Sequence, residues 1–211
     1  MSSDEKTGIQ ALERAAPTKP MQPGMAGQVG KLERQEYEYI RHGTQCLIAN
    51  FEVATGKQLA PSIGDTRTEA DFVAHIAQTV EIAPNEAWIF IVDQLNTHQS
   101  ESLVRWVACA IGYIGDLGEK GQSGILKSMS ARAEFLSNSE HRIRFVYTPK
   151  HCSWLNQVEM WFSILVRRLL KRGSFKSTDE LRQRILEFIE YFNNTLAKPF
   201  KWTYKGRPLM V

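Results

Sequence analysis

The sequence has no long hydrophobic run and few cysteines. Its longest runs of apolar side chains, such as AWIFIV at 87–92, contain six residues, whereas a helix that spans a bilayer needs roughly 20. No charged segment followed by an apolar one opens the chain, so we expect a cytosolic protein. Cys46, Cys109 and Cys152 form no CxxC pair, which argues against a zinc knuckle or a redox couple and favours reduced thiols in the core.

Charge is distributed unevenly along the chain. The formal net charge is only +3, but residues 1–140 carry 12 Lys or Arg against 18 Asp or Glu, whereas residues 141–211 carry 14 against 5. A basic half is typical of proteins that bind a phosphate backbone, although solvated helix faces also carry surplus Lys and Arg. With 43% hydrophobic and 23% charged residues, the composition is that of a globular chain, and we expect residues 1–211 to form one domain.

The first part of the chain predicts a hairpin and a helix after a poorly structured beginning. Prolines and glycines between positions 17 and 30 interrupt regular structure, so residues 1–45 should be mostly loop after a short first strand. The segments CLIANFEV and QLAPSI, joined by a turn at Thr55-Gly56, predict two paired strands. Thr68, with Asp71 three residues later, is a capping pattern for the helix that follows.

The rest of the chain predicts alternating strands and helices. The run AWIFIV ends at Asp93 and is typical of a central parallel strand that is buried on both faces. After a helix, the Gly-rich segment 112–136 should be a flexible insertion that ends in a short helix. The strand RIRFVYTP and helices at roughly 155–172 and 178–194 follow, the last with a capping box at Ser177 and Glu180. These elements predict a mixed-sheet α/β domain.

Three acids stand out by their positions, although on pattern alone Asp4 would be dismissed as part of an acidic N-terminus. Asp93 ends the central strand, where open α/β sheets place their ligands. Glu159 is the only acid in a segment, 142–176, that holds eight Lys or Arg residues. It is either an ordinary salt-bridge partner or a metal ligand. At about 100° per residue, three further polar residues share its helix flank: Asn156, Ser163 and Arg167.

Several other polar and aromatic residues allow two interpretations each. His98, five residues after Asp93, either orients a phosphate or shuttles a proton, or else it packs against or caps the following helix. Asn96 either contacts the substrate or is a plain turn residue. Trp154 and Trp161 are predicted to be core residues rather than platforms for base stacking.

Carboxylates are the ligands that metal-dependent phosphodiester cleavage needs. Two hard cations held roughly 3.5–4 Å apart activate water and stabilise the leaving oxygen, and Mg²⁺ is bound by few carboxylates and several waters. Spacing alone does not separate such a site from the many acids that stand at strand ends.

Four segments occur in one specific order over nearly the whole chain: DEKTGIQALER at 4–14, IVDQLNTH at 91–98, TPKHCSWLNQVEMWFSILVRR at 148–168 and KPFKWTYKGR at 198–207. Together they resemble the bacterial insertion-sequence six-thirty family of DDE transposases, a branch of the Tc/mariner superfamily. The last two segments are long and specific, whereas the first is short.

The resemblance implies a ribonuclease-H-like α/β fold, in which helices flank a mixed central sheet, and a catalytic DDE triad. By motif position the triad is Asp4, Asp93 and Glu159, which would bind two Mg²⁺ or Mn²⁺ ions. Glu5 should point to the opposite face of its strand and has no metal role. The candidate DNA contacts are Asn96, His98, Asn156, Arg167, Arg168, Lys171 and Arg172.

The implied reaction is cleavage at the ends of an insertion sequence, after which the freed 3′-hydroxyl attacks target DNA without a covalent protein intermediate. The implied partners are DNA, as terminal inverted repeats and as target, and further copies of the chain in a homodimer or higher assembly. Such a protein would work in the bacterial cytoplasm and associate with the nucleoid when bound to DNA.

The chain departs from the family in two places. The family usually carries N-terminal helix-turn-helix modules, but only Met1, Ser2 and Ser3 stand ahead of Asp4. We therefore expect end recognition to lie outside this chain and the strand that bears Asp4 to be clipped. The insertion at 112–136 lengthens the interval between the second and third acids, and its basic residues either touch DNA or are solvated: Lys120, Lys127 and Arg132.

Two other functions fit the same residues. A truncated, catalytically inactive remnant of a transposase would at most bind DNA or a full-length partner. A host ribonuclease or resolvase would share only the fold, and it would cleave RNA–DNA hybrids in preference to duplex DNA.

Overall fold

Five strands form one mixed sheet in a computed structural model that describes residues 1–24, 29–34, 37–150 and 152–201, with the backbone alone at Ser153. The strand order is β3-β2-β1-β4-β5. The first three strands pair antiparallel, whereas β4 pairs parallel with both β1 and β5. The strands are β1 (Ser2–Arg14), β2 (Tyr39–Glu52), β3 (Lys57–Gly64), β4 (Trp88–Val92) and β5 (Ile143–Tyr147).

Helices cover both faces of this sheet. One core cluster joins the first three helices to β4 and β5, around Phe72, Phe90 and Phe145. The other joins the last two helices to β1 and β2, around Phe51 and Trp161. The helices are α1 (Glu69–Val80), α2 (Glu101–Ala110), α3 (Met129–Ser137), α4 (Gln157–Leu165) and α5 (Thr178–Thr195). The predicted mixed sheet flanked by helices is therefore confirmed, and within the described ranges no helix is long and apolar enough to cross a bilayer.

The beginning of the chain contains more strand than its sequence indicates. β1 extends to Arg14 and β2 begins at Tyr39, so the loop predicted to follow a clipped first strand is shorter than expected at both ends. β1 pairs with β2 along its length and with β4 at Ser2↔Ile91. These ladders make a strand of a segment whose own pattern is weak, because strand formation depends strongly on neighbouring strands.

The hairpin and the first helix form as predicted. β2 and β3 meet at a turn in which Gly56 has φ +76°, and a Cβ there would lie 2.0 Å from the carbonyl oxygen of Lys198. Only glycine satisfies both conditions without strain. Thr68 and Asp71 form a complete capping box at the start of α1. On β4, however, Ile89 is 40% exposed because it lines an open cleft beside Met1, so the expected burial on both faces is wrong at that residue.

The fourth helix is shorter than predicted. It ends at Leu165 and continues as a π-helical turn, Val166–Leu170, in which the Lys171 N–H donates to the Val166 carbonyl at 2.8 Å. A π turn changes the angular phase of the residues in it. The polar flank that contains Glu159 therefore does not continue in register to Arg167.

The cap of the last helix is only half formed. The Ser177 hydroxyl accepts from the Glu180 N–H at 3.0 Å as predicted. The Glu180 carboxylate, however, accepts from the Lys176 N–H at 2.8 Å instead of from Ser177. The reciprocal bond of a capping box is thus displaced by one residue.

The Gly-rich segment 112–136 is packed against the domain, in contrast to the predicted flexible excursion. Leu126 is fully buried in the first core cluster. Arg132 is only 8% exposed and donates to the carbonyls of Gln99 at 2.6 Å and Leu126 at 3.1 Å. Both predicted roles of Arg132, as a DNA contact or as a solvated residue, are therefore wrong.

Three smaller predictions have mixed outcomes. Cys46 is buried, but Cys109 is exposed, so not all thiols are core groups. Trp161 is a core residue as predicted, whereas Trp154 is 48% exposed. His151 and residues 202–211, which include the end of the last motif, lie outside the described residues. Phe200, just before them, stacks on Phe51 with ring centroids 4.6 Å apart.

Candidate active site

Asp4 lies in the middle strand of the sheet and is almost fully buried, at 6% exposure. One carboxylate oxygen accepts from the N–H of Glu5 at 2.8 Å, and the other accepts from the side-chain amide of Asn156 at 3.3 Å. Burial raises the pKa of Asp4 to about 7, and the negative charges of Asp93 and Glu5 also raise it. A carboxylate that is buried beside two other acids has a strong electrostatic preference for a nearby cation.

Asp93 follows β4, directly beside the strand that carries Asp4. Its Oδ1 accepts from the N–H of Leu95 at 2.9 Å and lies 2.8 Å from Nδ1 of His98. The hydrogen bond to His98 lowers the pKa of Asp93, so this carboxylate is ionised at neutral pH. Its Oδ2 has no hydrogen-bond partner in the described part of the chain and is free to accept a ligand.

A cavity of about 670 Å³ opens beside Asp93. Polar groups of the β4 and β5 ends lie on one side of it, and the start of α3 forms the other. Its lining combines apolar and uncharged polar side chains with one cationic side chain, that of Lys150. The other lining residues include Gln94, Leu95, Met129, Ala133, Tyr147 and Thr148. The supposed insertion therefore forms one wall of the space next to the candidate site.

His98 is inside the protein and not at its surface. Its side chain is 0% exposed, and its Nε2 lies 3.1 Å from the carboxylate of Glu5, which is itself only 2% exposed. Burial alone would lower the pKa of His98, but the hydrogen bonds to Asp93 and Glu5 outweigh burial and raise it to about 10. His98 is therefore a cation held between two carboxylates, and the prediction that it contacts DNA is not compatible with this position.

The N-terminus of α4 is attached to β1 by two side chains. The Ser2 hydroxyl donates to the side-chain carbonyl of Asn156 and accepts from the N–H of Val158 at 2.8 Å. Asn156 also donates to the Ser3 carbonyl at 2.9 Å. Asn156 is fully buried, so its predicted role as a DNA contact is not compatible with the structure. Its amide instead fastens the helix to the strand that carries Asp4.

Glu159 is in the first turn of α4, three residues after Asn156 and hence on the same side of the helix. It is half-buried, and its side chain makes no hydrogen bond or ion pair with the described residues. The structure thus brings Asp4 and Asp93 together and places Glu159 on the adjoining helix. Within the described ranges, no group of three His, Cys, Asp or Glu side chains is close enough to hold one metal ion.

Asp4, Asp93 and Glu159 nevertheless suit a hard divalent cation in their chemistry. All three supply carboxylate oxygens, which Mg²⁺ prefers to nitrogen or sulfur. Among the described residues, Asp4 is a buried acid that forms no ion pair, and Oδ2 of Asp93 accepts no hydrogen bond. Both oxygens of Asp4 already accept a hydrogen bond, and the three carboxylates are not gathered around one point in the described residues.

The remaining candidate DNA contacts are at the surface. Asn96 lies exposed in a short turn after Asp93, and four basic side chains around the π-helical turn are exposed too: Arg167, Arg168, Lys171 and Arg172. Arg167 and Arg168 border a cleft of about 460 Å³ together with Lys198 and Phe200. Arg167 is eight residues beyond Glu159, which corresponds to about 12 Å along a helix.

Sequence reasoning missed two residues that organise this site. Ser2 carries no motif signal, because its role depends on a helix that begins far along the chain. Glu5 was placed on the strand face opposite Asp4, which the structure confirms, but its partner His98 was not recognised. A buried acid on that face requires a partner, and this requirement could have indicated that Glu5 pairs with a basic residue.

Comparison with known proteins gives one match. A family model described as DDE superfamily endonuclease matches residues 13–182. This range includes Asp93 and Glu159, whereas Asp4 lies before it. The match agrees with the ribonuclease-H-like arrangement of a mixed five-stranded sheet flanked by five helices. No curated protein and no solved structure matches the chain.

Proposed function

Because this chain belongs to the DDE superfamily endonucleases, we propose that it is the catalytic part of a cut-and-paste DNA transposase of the insertion-sequence six-thirty family. The observation that supports this most is the position of Asp4. It is a buried acid between Asp93 on the neighbouring strand and Asn156, which precedes Glu159 on α4. This arrangement supports the proposal because it brings Asp4 and Asp93 together on neighbouring parts of the sheet and places the helix of Glu159 beside Asp4.

Asp4, Asp93 and Glu159 would hold Mg²⁺ or Mn²⁺ at this end of the sheet. When bound, the cations activate water and stabilise the oxygen that leaves the phosphorus. Asp93 would use its free Oδ2, and Glu159 would turn towards Asp4. The cavity beside Asp93 would receive the DNA strand, with Lys150 at its edge to contact a phosphate.

The direct test is a plasmid-nicking assay with Mn²⁺. We expect the wild-type chain to nick supercoiled DNA and the variants Asp93→Asn and Glu159→Gln to be inactive, with DNA binding nearly intact. Glu13→Gln is the matched control, since Glu13 lies at the far end of β1 and pairs with exposed His42 at 2.9 Å. Nicking by either triad variant at the wild-type rate would contradict the assignment.

DNA binding should depend on the exposed basic residues of the π-helical turn. Each phosphate contact releases counterions, so loss of one contact reduces the slope of log K against log salt by about 0.9. We expect Arg168→Ala to show this reduction. Arg105→Ala should not, because Arg105 is exposed and already paired with Glu101 at 2.8 Å. Equal slopes for both variants would exclude this face as the DNA surface.

One observation supports a second candidate, an inactive transposase remnant. The described residues contain no set of three side chains within reach of one metal ion. A remnant would bind DNA but would neither bind Mn²⁺ at Asp93 nor nick DNA under any condition. Strong preference for RNA–DNA hybrids would instead favour a host ribonuclease.

A further inference from the structure

A buried bridge connects the two strands that carry the aspartates. His98 lies between Asp93, 2.8 Å from its Nδ1, and Glu5, 3.1 Å from its Nε2. Glu5 follows Asp4 directly in β1 and points to the other face of the sheet. Each end of the bridge is therefore fixed to a candidate metal ligand, through a direct contact at Asp93 and through the backbone at Asp4.

The imidazole ring has little freedom to move. It packs against Phe72 with ring centroids 4.4 Å apart. The carbonyl of His98 accepts from the Tyr147 hydroxyl at 2.9 Å, and the next carbonyl, of Gln99, accepts from Arg132 at 2.6 Å. The short turn that carries His98 is thus held by β5 and by α3.

The rigid bridge determines how Asp93 presents its carboxylate. His98 Nδ1 lies 2.8 Å from Oδ1 and 3.2 Å from the Asp93 carbonyl oxygen, and the Leu95 N–H donates to Oδ1 at 2.9 Å. These contacts restrict the rotamer of the carboxylate and leave Oδ2 without a contact to either group. Groups that orient a ligand in this way commonly change metal affinity 10- to 100-fold. Removal of one member of such a buried ion pair leaves the other charge without its partner and destabilises the fold, so every variant must also be tested for folding.

We propose that Glu5 and His98 are positioning residues, which fix the distance and orientation of Asp93 relative to Asp4 for cation binding. This role rests on the proposed function. The Glu5 carboxylate contacts His98 Nε2 at 3.1 Å and the Thr97 hydroxyl at 3.5 Å, so its link to Asp93 runs through His98. The bridge would keep the two aspartates in place before any cation arrives.

The test compares Glu5→Leu with Glu5→Gln in the full chain. Leucine has similar volume but no acceptor, whereas glutamine keeps an oxygen that can accept from His98. Mn²⁺ binding without DNA is measured by calorimetry, and nicking and thermal melting are measured on the same samples. We expect Glu5→Leu to weaken Mn²⁺ binding about 10-fold or more and to slow nicking at saturating Mn²⁺, and Glu5→Gln to restore most of both.

Glu13→Leu is the control, because it removes the acid of an exposed Glu–His pair on the same strand and should change neither quantity. A folded Glu5→Leu chain with wild-type Mn²⁺ affinity and nicking would overturn the positioning role. If Glu5→Leu does not fold, His98→Gln is tested instead, because a glutamine side chain cannot contact Glu5 and Asp93 at once. Unchanged Mn²⁺ affinity of His98→Gln overturns the positioning role, and weakened affinity supports it. A wild-type chain that neither binds Mn²⁺ nor nicks DNA would refute the proposed function, and the positioning role with it.

Discussion

Replacement of Asn156 by alanine tests whether the attachment of α4 to β1 positions the metal site in addition to stabilising the domain. Asn156 is fully buried and makes three hydrogen bonds to consecutive residues of β1: the Ser2 hydroxyl, the Ser3 carbonyl at 2.9 Å and the Asp4 carboxylate at 3.3 Å. A buried hydrogen bond contributes about 1 kcal/mol, and a partner left unsatisfied adds to the loss. We therefore expect Asn156→Ala to lower the free energy of unfolding by about 3 kcal/mol.

The structure also predicts a specific effect of Asn156→Ala on the metal site. Without the amide, the first turn of α4, and Glu159 with it, is attached to the strand of Asp4 only by the bond from the Val158 N–H to the Ser2 hydroxyl. Mn²⁺ affinity should fall about 10-fold or more. The measurements are urea unfolding at pH 7 and calorimetric Mn²⁺ titration of the folded variant.

Asn193→Ala is the matched control for this variant. Asn193 makes two hydrogen bonds, both of 2.8 Å, to the backbone of Gln58 and joins α5 to β3 away from the acids. Asn193→Ala should lower the free energy of unfolding by about 1 to 2 kcal/mol and leave Mn²⁺ affinity unchanged. The reasoning is refuted if Asn156→Ala loses less than about 1 kcal/mol, or if both variants change Mn²⁺ affinity equally.

Two further predictions concern stability alone. Burial lowers the pKa of His75 to about 3. Near pH 6.5 the unfolded chain therefore binds a proton at His75, whereas the folded chain does not. Stability from this group is therefore lost as pH falls below about 6.5, and between pH 7 and 5 the wild type should lose about 2 kcal/mol more than His75→Gln in urea unfolding; equal losses would contradict the assignment. Gly56→Ala should lower the melting temperature more than Gly121→Ala, because both glycines have φ near +77° but only Gly56 is blocked by Lys198, whereas nothing lies within 4 Å of a Cβ at Gly121. Equal melting temperatures would show that the Lys198 segment yields to the methyl group.

Local sequence patterns predicted the elements that depend on local interactions. The turn at Gly56 and the capping box at Thr68 use residues within a few positions of each other, so their chemistry is visible in the sequence. The length of β1 was underestimated because its stability comes from pairing with β2 and β4, which lie far along the chain. The π-helical turn at 166–170 has no distinct sequence signal and shifted Arg167 out of the predicted flank.

The candidate acids were predicted through family motifs, whereas their surroundings were not. Asp93 and Glu159 stand within recognisable segments. The burial of His98 and Asn156, in contrast, results from packing against Phe72 and β1, which no short motif describes. Both residues were assigned to DNA for their polarity, and both instead satisfy buried groups of the protein.

The attachment of α4 to β1 has a consequence for how the protein is made. Its hydrogen bonds join residues 154 positions apart, so they raise the contact order and close only after most of the chain exists. During synthesis β1 leaves the ribosome before α4, which at 5–20 residues per second follows roughly 8 to 30 s later. In the interval the nascent chain has Asp4 but no helix to bring Glu159. The proposed metal site therefore cannot assemble in any copy of the chain that ends before α4.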